Sequence, residues 1–353
     1  MADLELRIEA FVKLGNFFRE FYEYNKNGNE QQDHNAKWFL EFNEKITMAK
    51  HQNGWFTKEN ILFAMAHWGN VLTVDKLEGW LANYPLENIG SKKIALIMAG
   101  NIPMVGFHDF LATLITGNRA FIKLSSNDTI LLPLIAAHLI ELEPSFTDKI
   151  IFSDGKLQEF DAVIATGSNN TARYFEHYFG KKPHIIRKNR NSVAVLTGGE
   201  TTEQLSALGE DIFRYYGLGC RSVSKLFVPK GYDFDDFFKA IYAYASLIEQ
   251  QKYANNYDYN KAVYLMSEFD ILENGFLMLK EDTSYASPIA TLFYEHYDSL
   301  EDLHGILKEN EEKLQCIVSE NIIPNTVPFG KTQRPGLTEY ADGVDTVEFL
   351  LKT

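Results

Sequence analysis

Apolar side chains in about the first 90 residues recur at helical spacing. Phe11, Leu14, Phe18 and Phe21 share one stripe, and "TKENILFAMAHWGNVL" continues amphipathically from a capping residue at Thr57. The polar run "NKNGNEQQDHN" between these two segments reads as a loop. From Lys92 the texture changes, and short unbroken apolar runs alternate with helix-period segments. "KKIALIMAGN" reads as a buried strand. "MVGFHDFLATLITGN" reads as a helix with Phe107, Phe110, Leu111, Leu114 and Ile115 on one face, closed by Gly117-Asn118. "RAFIKLSS", "TILLPLIAAHLIEL", "KIIFS", "FDAVIATGS", "NNTARYFEHYF", "KPHIIRKN" and "SVAVLT" continue the alternation. Such a series predicts a parallel sheet covered by helices on both faces, with ligands collecting at the carboxyl ends of its strands.

After Thr197, "TTEQLSALGEDIFRYY" predicts a helix with Leu205, Leu208, Ile212 and Tyr215 on one stripe, ended by Gly217. A strand, "SKLFVP", follows, and a second α/β region runs to about residue 320. "NTVPFGKTQRPGL" is rich in turn formers.

Composition narrows the classes. The 353 residues are long enough for one large or two medium domains, and 45% hydrophobic with 23% charged residues fits a globular protein. A net charge of −14 argues against nucleic acid as partner, because phosphate recognition needs clustered cations. An anionic cofactor remains compatible, since a few cations and backbone N–H groups suffice. Two cysteines give no disulfide framework and fit a reducing compartment. The opening "MADLELRIEAFVKLG" lacks the apolar core of a signal peptide, and no stretch approaches a membrane span. The expectation is a cytoplasmic protein without stable membrane insertion.

Three places could carry chemistry. Cys220, in "YYGLGCRSVSKLFVP", follows glycines at 217 and 219 and precedes Arg221. It is either a packing residue or a nucleophile whose thiolate a nearby cation favours. Cys316 has no such surroundings and reads as structural. Asn101 ends the first parallel strand, where it is either a helix cap or an amide donor for an oxyanion. Two strand ends could hold a nucleotide: Lys123, Ser125 and Ser126 after one, Gly167 and Ser168 after another. Each has a plainer reading, an exposed lysine or a serine-capped turn. "AGNIPMVG" is not the G-x-G-x-x-G fingerprint. The histidines, His177 and His184 included, show no metal-ligand spacing, so no metal is expected.

Taken in order, these pieces resemble the aldehyde dehydrogenase superfamily, and more closely its acyl-CoA reductase, LuxC-like branch. "GNIP", "GN" and "FIKLSS" look like W-N-F-P, A-x-G-N and K-P-S-E; "ATGS" looks like F-T-G-S; "GLGCRSVSKLFV" looks like G-Q-x-C, with Lys225 where arginine is common. "SPIATLF" stands where G-P-V-x-x-V is expected, and "VPFGKTQRPG" looks like P-F-G-G-x-K-x-S-G. The similarity runs over about residues 90 to 340. It implies an α/β fold of the aldehyde dehydrogenase type: N-terminal helices and a Rossmann-type dinucleotide domain over 1–195, a catalytic α/β domain over 196–322, and a C-terminal return segment over 323–353. It also implies that Cys220 is the nucleophile and that Asn101 joins the Cys220 N–H in the oxyanion hole. Lys123 would hold the adenosine ribose, and Gly167 and Ser168 would lie against the pyrophosphate.

The departures from the family pattern point to the reaction. E-L-G-G, whose Glu is the base for hydrolysis, falls on "IRKN", so Ile186 replaces that base. Acyl exchange with a thiol needs no activated water, which favours NAD(P)H-dependent reduction of an acyl-CoA to an aldehyde. Oxidation of an aldehyde to an acid, or a non-catalytic nucleotide-binding scaffold, are the alternatives. Ser126 replaces the last Glu of K-P-S-E, which favours NADPH and leaves NADH open. "TSYASP" stands for E-E-I-F-G-P and puts Ser284 where a ribose-binding Glu is usual. CoA would be the leaving group, the substrate an acyl-CoA or acyl carrier, and a homo-oligomer is compatible with the pattern.

Overall fold

The computed structural model describes residues 2–27, 36–86, 90–320 and 322–353. Most of the loop expected over Asn25–Asn35 lies outside the described residues. The chain divides into two compact units, Met1–Lys188 with Gly336–Thr353, and Asn189–Pro335.

The first unit opens with four helices, α1 (Ala2–Asn27), α2 (Ala36–Gln52), α3 (Lys58–Val71) and α4 (Val74–Leu81). The expected stripe of α1 is its buried face: Phe11, Leu14, Phe18 and Phe21 are all inaccessible to solvent. Thr57 caps α3 by accepting a hydrogen bond from the Asn60 N–H. That bond satisfies one of the orphan donors of the first turn.

A five-stranded sheet follows, built from β1 (Lys93–Ile97), β2 (Arg119–Lys123), β3 (Ile150–Phe152), β4 (Ala162–Thr166) and β5 (His184–Arg187) in the order β3-β2-β1-β4-β5. Every pairing in it is parallel. Helices α5 (Phe107–Ile115), α6 (Leu131–Leu142) and α7 (Asn169–Phe179) are the crossovers. The chain goes outward from β1 through β2 to β3, then returns to the other side of β1 for β4. The switch point therefore lies between the carboxyl ends of β1 and β4, where such sheets bind ligands. The last helix, α12 (Thr346–Lys352), belongs to this unit. Its approach is tied down by Trp80 Nε1 donating to Tyr340 (2.7 Å), Tyr84 donating to Asp345 (2.6 Å) and His108 Nε2 bonded to the Leu337 carbonyl (2.9 Å).

The second unit holds β6 (Asn191–Val195), α8 (Thr202–Phe213), β7 (Val223–Pro229), α9 (Asp235–Ala240), α10 (Gln251–Met266), β8 (Ile271–Glu273), β9 (Met278–Glu281), β10 (Thr291–Tyr297), α11 (Leu300–Glu309) and β11 (Leu314–Val318). Its six strands run β11-β6-β7-β10-β9-β8, parallel except for the edge pair β8–β9. The unit boundary at 188/189 lies ahead of the expected one at 195. The reason is β6, which pairs with β7 and β11 instead of extending the first sheet. Likewise the tail expected as one segment from 323 divides at 335/336 between the units. On α8, Leu205, Leu208, Ile212 and the following Tyr215 are buried as expected, beneath a capping box of Thr201 and Gln204.

Candidate active site

In the first unit, Asn101, Lys123, Ser125, Ser126, Gly167 and Ser168 all lie at the carboxyl edge of the sheet. Ile97, the last residue of β1, pairs with Lys123 on one side and Ala165 on the other, so the loops after β1, β2 and β4 are neighbours. The loop after β1 packs on the loop after β2. A Cβ added to Gly100 would stand 2.8 Å from the Ser125 side chain and 3.2 Å from the Asp128 N, so only glycine permits this approach.

The loop from Asn101 to Gly106 differs from the expected helix start. The helix begins at Phe107, with Gly106 in the cap position, and Met104 takes the left-handed conformation at φ 58°. Asn101 is therefore not the cap of this helix, and it is exposed at the sheet edge. Beneath the loop lies a small, largely apolar pocket lined by residues such as Met98, Met104, Phe107, Leu124, Leu132 and Ile135.

Lys123 is exposed and its Nζ donates to the Gly155 carbonyl at 3.4 Å. Ser168 caps α7, accepting from the Thr171 N–H at 3.2 Å. A Cβ at Gly167 would meet Thr171 at 3.0 Å and Phe175 at 3.1 Å, so glycine sets the tight fit of α7 onto β4. These features suit a dinucleotide: an exposed cation after β2, hydroxyls on the neighbouring loop, and the N-terminus of α7 at the switch point, where N–H groups attract phosphate. Beside this turn, Ile186 is half-buried in β5, paired with Ala165. His177 and His184 are both exposed, and His184 Nδ1 bonds the Lys182 carbonyl at 2.8 Å.

Cys220 belongs to the second unit. It is exposed, whereas Cys316 is buried in β11. The chain reaches Cys220 through three consecutive left-handed residues, Tyr215 (φ 55°), Tyr216 (φ 59°) and Gly217 (φ 75°). For the two tyrosines this backbone is costly, on the order of 1–3 kcal/mol each, and persists only where surrounding contacts impose it.

The chain on either side of this run is tied to distant segments. Asp211, fully buried at the end of α8, accepts from Gly330 N (2.6 Å), Thr332 N (2.9 Å) and Thr332 Oγ1 (2.8 Å). Burial pushes its carboxyl up to about 6, against the opposing pull of those donors. The same Thr332 accepts at its carbonyl from Arg221 Nε (2.6 Å), and Gln333 Nε2 donates to Ser222 Oγ (3.3 Å). Residues 330–333 therefore grip the chain both before and after Cys220. The Cys220 carbonyl accepts from Ser192 Oγ at 2.9 Å. Lys225 is fully buried in β7, donating to the Thr283 carbonyl (2.9 Å) and paired with Glu295.

Asp211 carried a sequence signal that composition alone conceals: an acid on the apolar stripe between Leu208 and Tyr215. Thr332 and Gln333 fall inside the recognised turn-rich motif, but nothing in the sequence pairs them with residues a hundred positions away. Ser192 had no signal at all.

Residues 86–267, just over half of the chain, match the family described as acyl-CoA reductase (LuxC). The chain belongs to the acyl-CoA reductase (LuxC) family. No curated protein matches it in sequence. Among solved structures the fold is that of the aldehyde dehydrogenases. Aldehyde dehydrogenase 21 from Physcomitrella patens, in complex with the reaction product succinate, superposes with a TM-score of 0.66 at 12% identity, over 98% of this chain and 87% of that one. The aldehyde dehydrogenase KauB from Pseudomonas aeruginosa gives 0.61 at 13% identity, over 91% and 73%. An NAD+ complex of an aldehyde dehydrogenase from Bacillus cereus gives 0.61 at 14% identity, over the same shares. Family membership makes this LuxC-like chain an oxidoreductase of the acyl and aldehyde class. Among its described residues no helix is long and apolar enough to cross a membrane.

Proposed function

We propose that this LuxC-family protein reduces an acyl-CoA to an aldehyde through an acyl-enzyme on Cys220, at the expense of NADPH or NADH. The observation that carries the reading is the setting of Cys220. Inside the family-matched stretch, Cys220 stands exposed three residues after a left-handed run, in a segment that distant hydrogen bonds hold in place. A packing cysteine needs neither exposure nor such a frame, and Cys316 shows the contrast.

In the first step the Cys220 thiolate adds to the thioester carbonyl. The resulting oxyanion is held by the Cys220 N–H and, as the family pattern implies, by the Asn101 amide; each such donor is worth about 10²–10³ in rate. The carbon–sulfur bond to CoA then breaks, CoA leaves as its thiol, and the acyl group stays on Cys220. A reduced nicotinamide dinucleotide, when bound, supplies the hydride that converts this thioester to a thiohemiacetal. Its collapse breaks the Cys220 bond and releases the aldehyde. Lys123, with Ser125 and Ser126, would hold the adenosine ribose, and Gly167 and Ser168 the pyrophosphate. With serine rather than a carboxylate at 126, a 2′-phosphate meets no repulsion there, which favours NADPH.

Position 186 supports reduction over oxidation. An isoleucine cannot activate the water that an acid-forming dehydrogenase needs. Steady-state assays separate the two reactions. Acyl-CoA-dependent oxidation of NAD(P)H with release of free CoA is expected. Turnover of aldehyde with NAD(P)+ to a carboxylic acid in the absence of CoA would instead establish a dehydrogenase.

A further inference from the structure

The sheet of the second unit is irregular on both sides of one residue. Between β6 and β7 the register passes from Ser192↔Val223 to Val193↔Lys225, leaving Ser224 as an extra residue. Between β6 and β11 it passes from Asn191↔Leu314 to Ser192↔Cys316, leaving Gln315 as an extra residue. Each is a bulge of the kind that re-aims side chains and gathers next to functional sites, and the two flank the same residue. Ser192 is fully buried there. Its hydroxyl accepts from the Cys316 N–H (3.1 Å) and donates to the Cys220 carbonyl (2.9 Å). On the β7 side, Ser224 Oγ donates to the Tyr285 carbonyl at 2.7 Å and lies 3.3 Å from the Ser192 carbonyl, anchoring the bulged residue.

We infer that Ser192 is a positioning residue for Cys220: a buried hydroxyl between two bulges that joins the reactive cysteine's carbonyl to the backbone of β11. A hydroxyl both donates and accepts, so one side chain serves both groups. Holding the Cys220 carbonyl fixes ψ at that residue, and with it the Cα from which the sulfur projects. The upstream side of the loop is imposed by the left-handed run and by Asp211. Ser192 supplies the corresponding constraint at Cys220 itself. A misplacement of the nucleophile by about 1 Å can cost about 10²-fold in rate, so a single hydrogen bond here acts on chemistry and not only on stability. Ser192 touches no substrate in this role and acts only through Cys220. The inference rests on the proposed acyl-enzyme reading.

The test compares the full-length wild type with Ser192→Ala, Ser192→Thr and Ser319→Ala. Ser319 is another buried hydroxyl of the same unit, bonded to Thr326 at 3.0 Å and remote in sequence from Cys220. The readouts are kcat and KM for acyl-CoA-dependent NAD(P)H oxidation, thermal unfolding, and amide hydrogen exchange in the peptide containing Cys220. Ser192→Ala is expected to lower kcat about 10- to 100-fold with KM within about threefold, and to speed exchange around Cys220 about 10-fold. Ser192→Thr, which keeps the hydroxyl, is expected to restore most of kcat. Ser319→Ala should lower the unfolding temperature with kcat unchanged. If Ser192→Ala does not fold, Ser192→Cys replaces it and is read the same way. A folded hydroxyl-free variant with wild-type kcat or wild-type exchange overturns the inference while leaving the acyl-CoA reading intact; so does Ser319→Ala losing as much kcat. A wild type that does not oxidise NAD(P)H with any acyl-CoA overturns the reading itself, and the inference with it.

Discussion

His138 shows how a single side chain can set the acid response of the fold. It lies on α6, buried among rings of the N-terminal helices, with ring centroids at 4.2 Å from Phe17 and 4.6 Å from Trp38. Both imidazole nitrogens are buried without a hydrogen-bond partner among the described residues. Burial lowers its pKa from the ordinary 6.5 to about 4, although the nearby Glu141 pulls the other way. Because the unfolded chain takes up this proton first, stability is lost as the pH falls below about 6.5, and the loss levels off only near 4. Between pH 7.5 and 5 it amounts to about 2 kcal/mol. Urea unfolding at the two pH values should show a correspondingly smaller loss in His138→Leu than in the wild type. An unchanged difference in that variant would place the acid sensitivity elsewhere.

Among the elements, the most consequential tie in the first unit is the buried ion pair of Asp109 on α5 with Arg187 at the end of β5. Arg187 also donates to Thr346 Oγ1 (3.2 Å) at the start of α12, so one guanidinium joins a crossover helix, an outer strand and the returning C-terminal helix. Asp109→Ala strands that charge inside the protein and should lower the unfolding free energy by about 3–5 kcal/mol. Replacing both partners, Asp109→Leu with Arg187→Met, should cost much less, because it leaves no buried charge uncompensated. Denaturant unfolding of the two variants checks this. A single variant as stable as the double one would contradict it. Much of this architecture was legible in the sequence. The buried faces of α1, α5 and α8, the cap at Thr57 and the strand–helix alternation all follow from apolar period and turn chemistry. What escaped depends on long-range pairing. "SVAVLT" reads as one more strand of the first sheet, yet β6 joins the second, because an unbroken apolar run carries no label for its partner. The start of α5 at Phe107 rather than at Met104 is likewise hidden, since the left-handed turn at Met104 has no glycine to announce it.

At the scale of the whole molecule, the chain passes from the first unit to the second at 188/189 and returns at 335/336. The residues proposed to hold the cofactor lie on the first, and the proposed nucleophile on the second. The motif order along the sequence is what singles out Cys220 and the loops after β2 and β4 for the proposal. The frame around the cysteine was not legible, because Ser192, Asp211 and Thr332 reach it from distant parts of the sequence. The account depends on an acyl group passing through that one sulfur. Its most direct test is intact-protein and peptide mass spectrometry of wild type and Cys220→Ala after incubation with an acyl-CoA and no reduced cofactor. The wild type should gain one acyl mass on Cys220, lost again with aldehyde release when NADPH is added, and Cys220→Ala should gain none. An acyl adduct that persists in Cys220→Ala, or wild-type turnover with no adduct on Cys220, would contradict it.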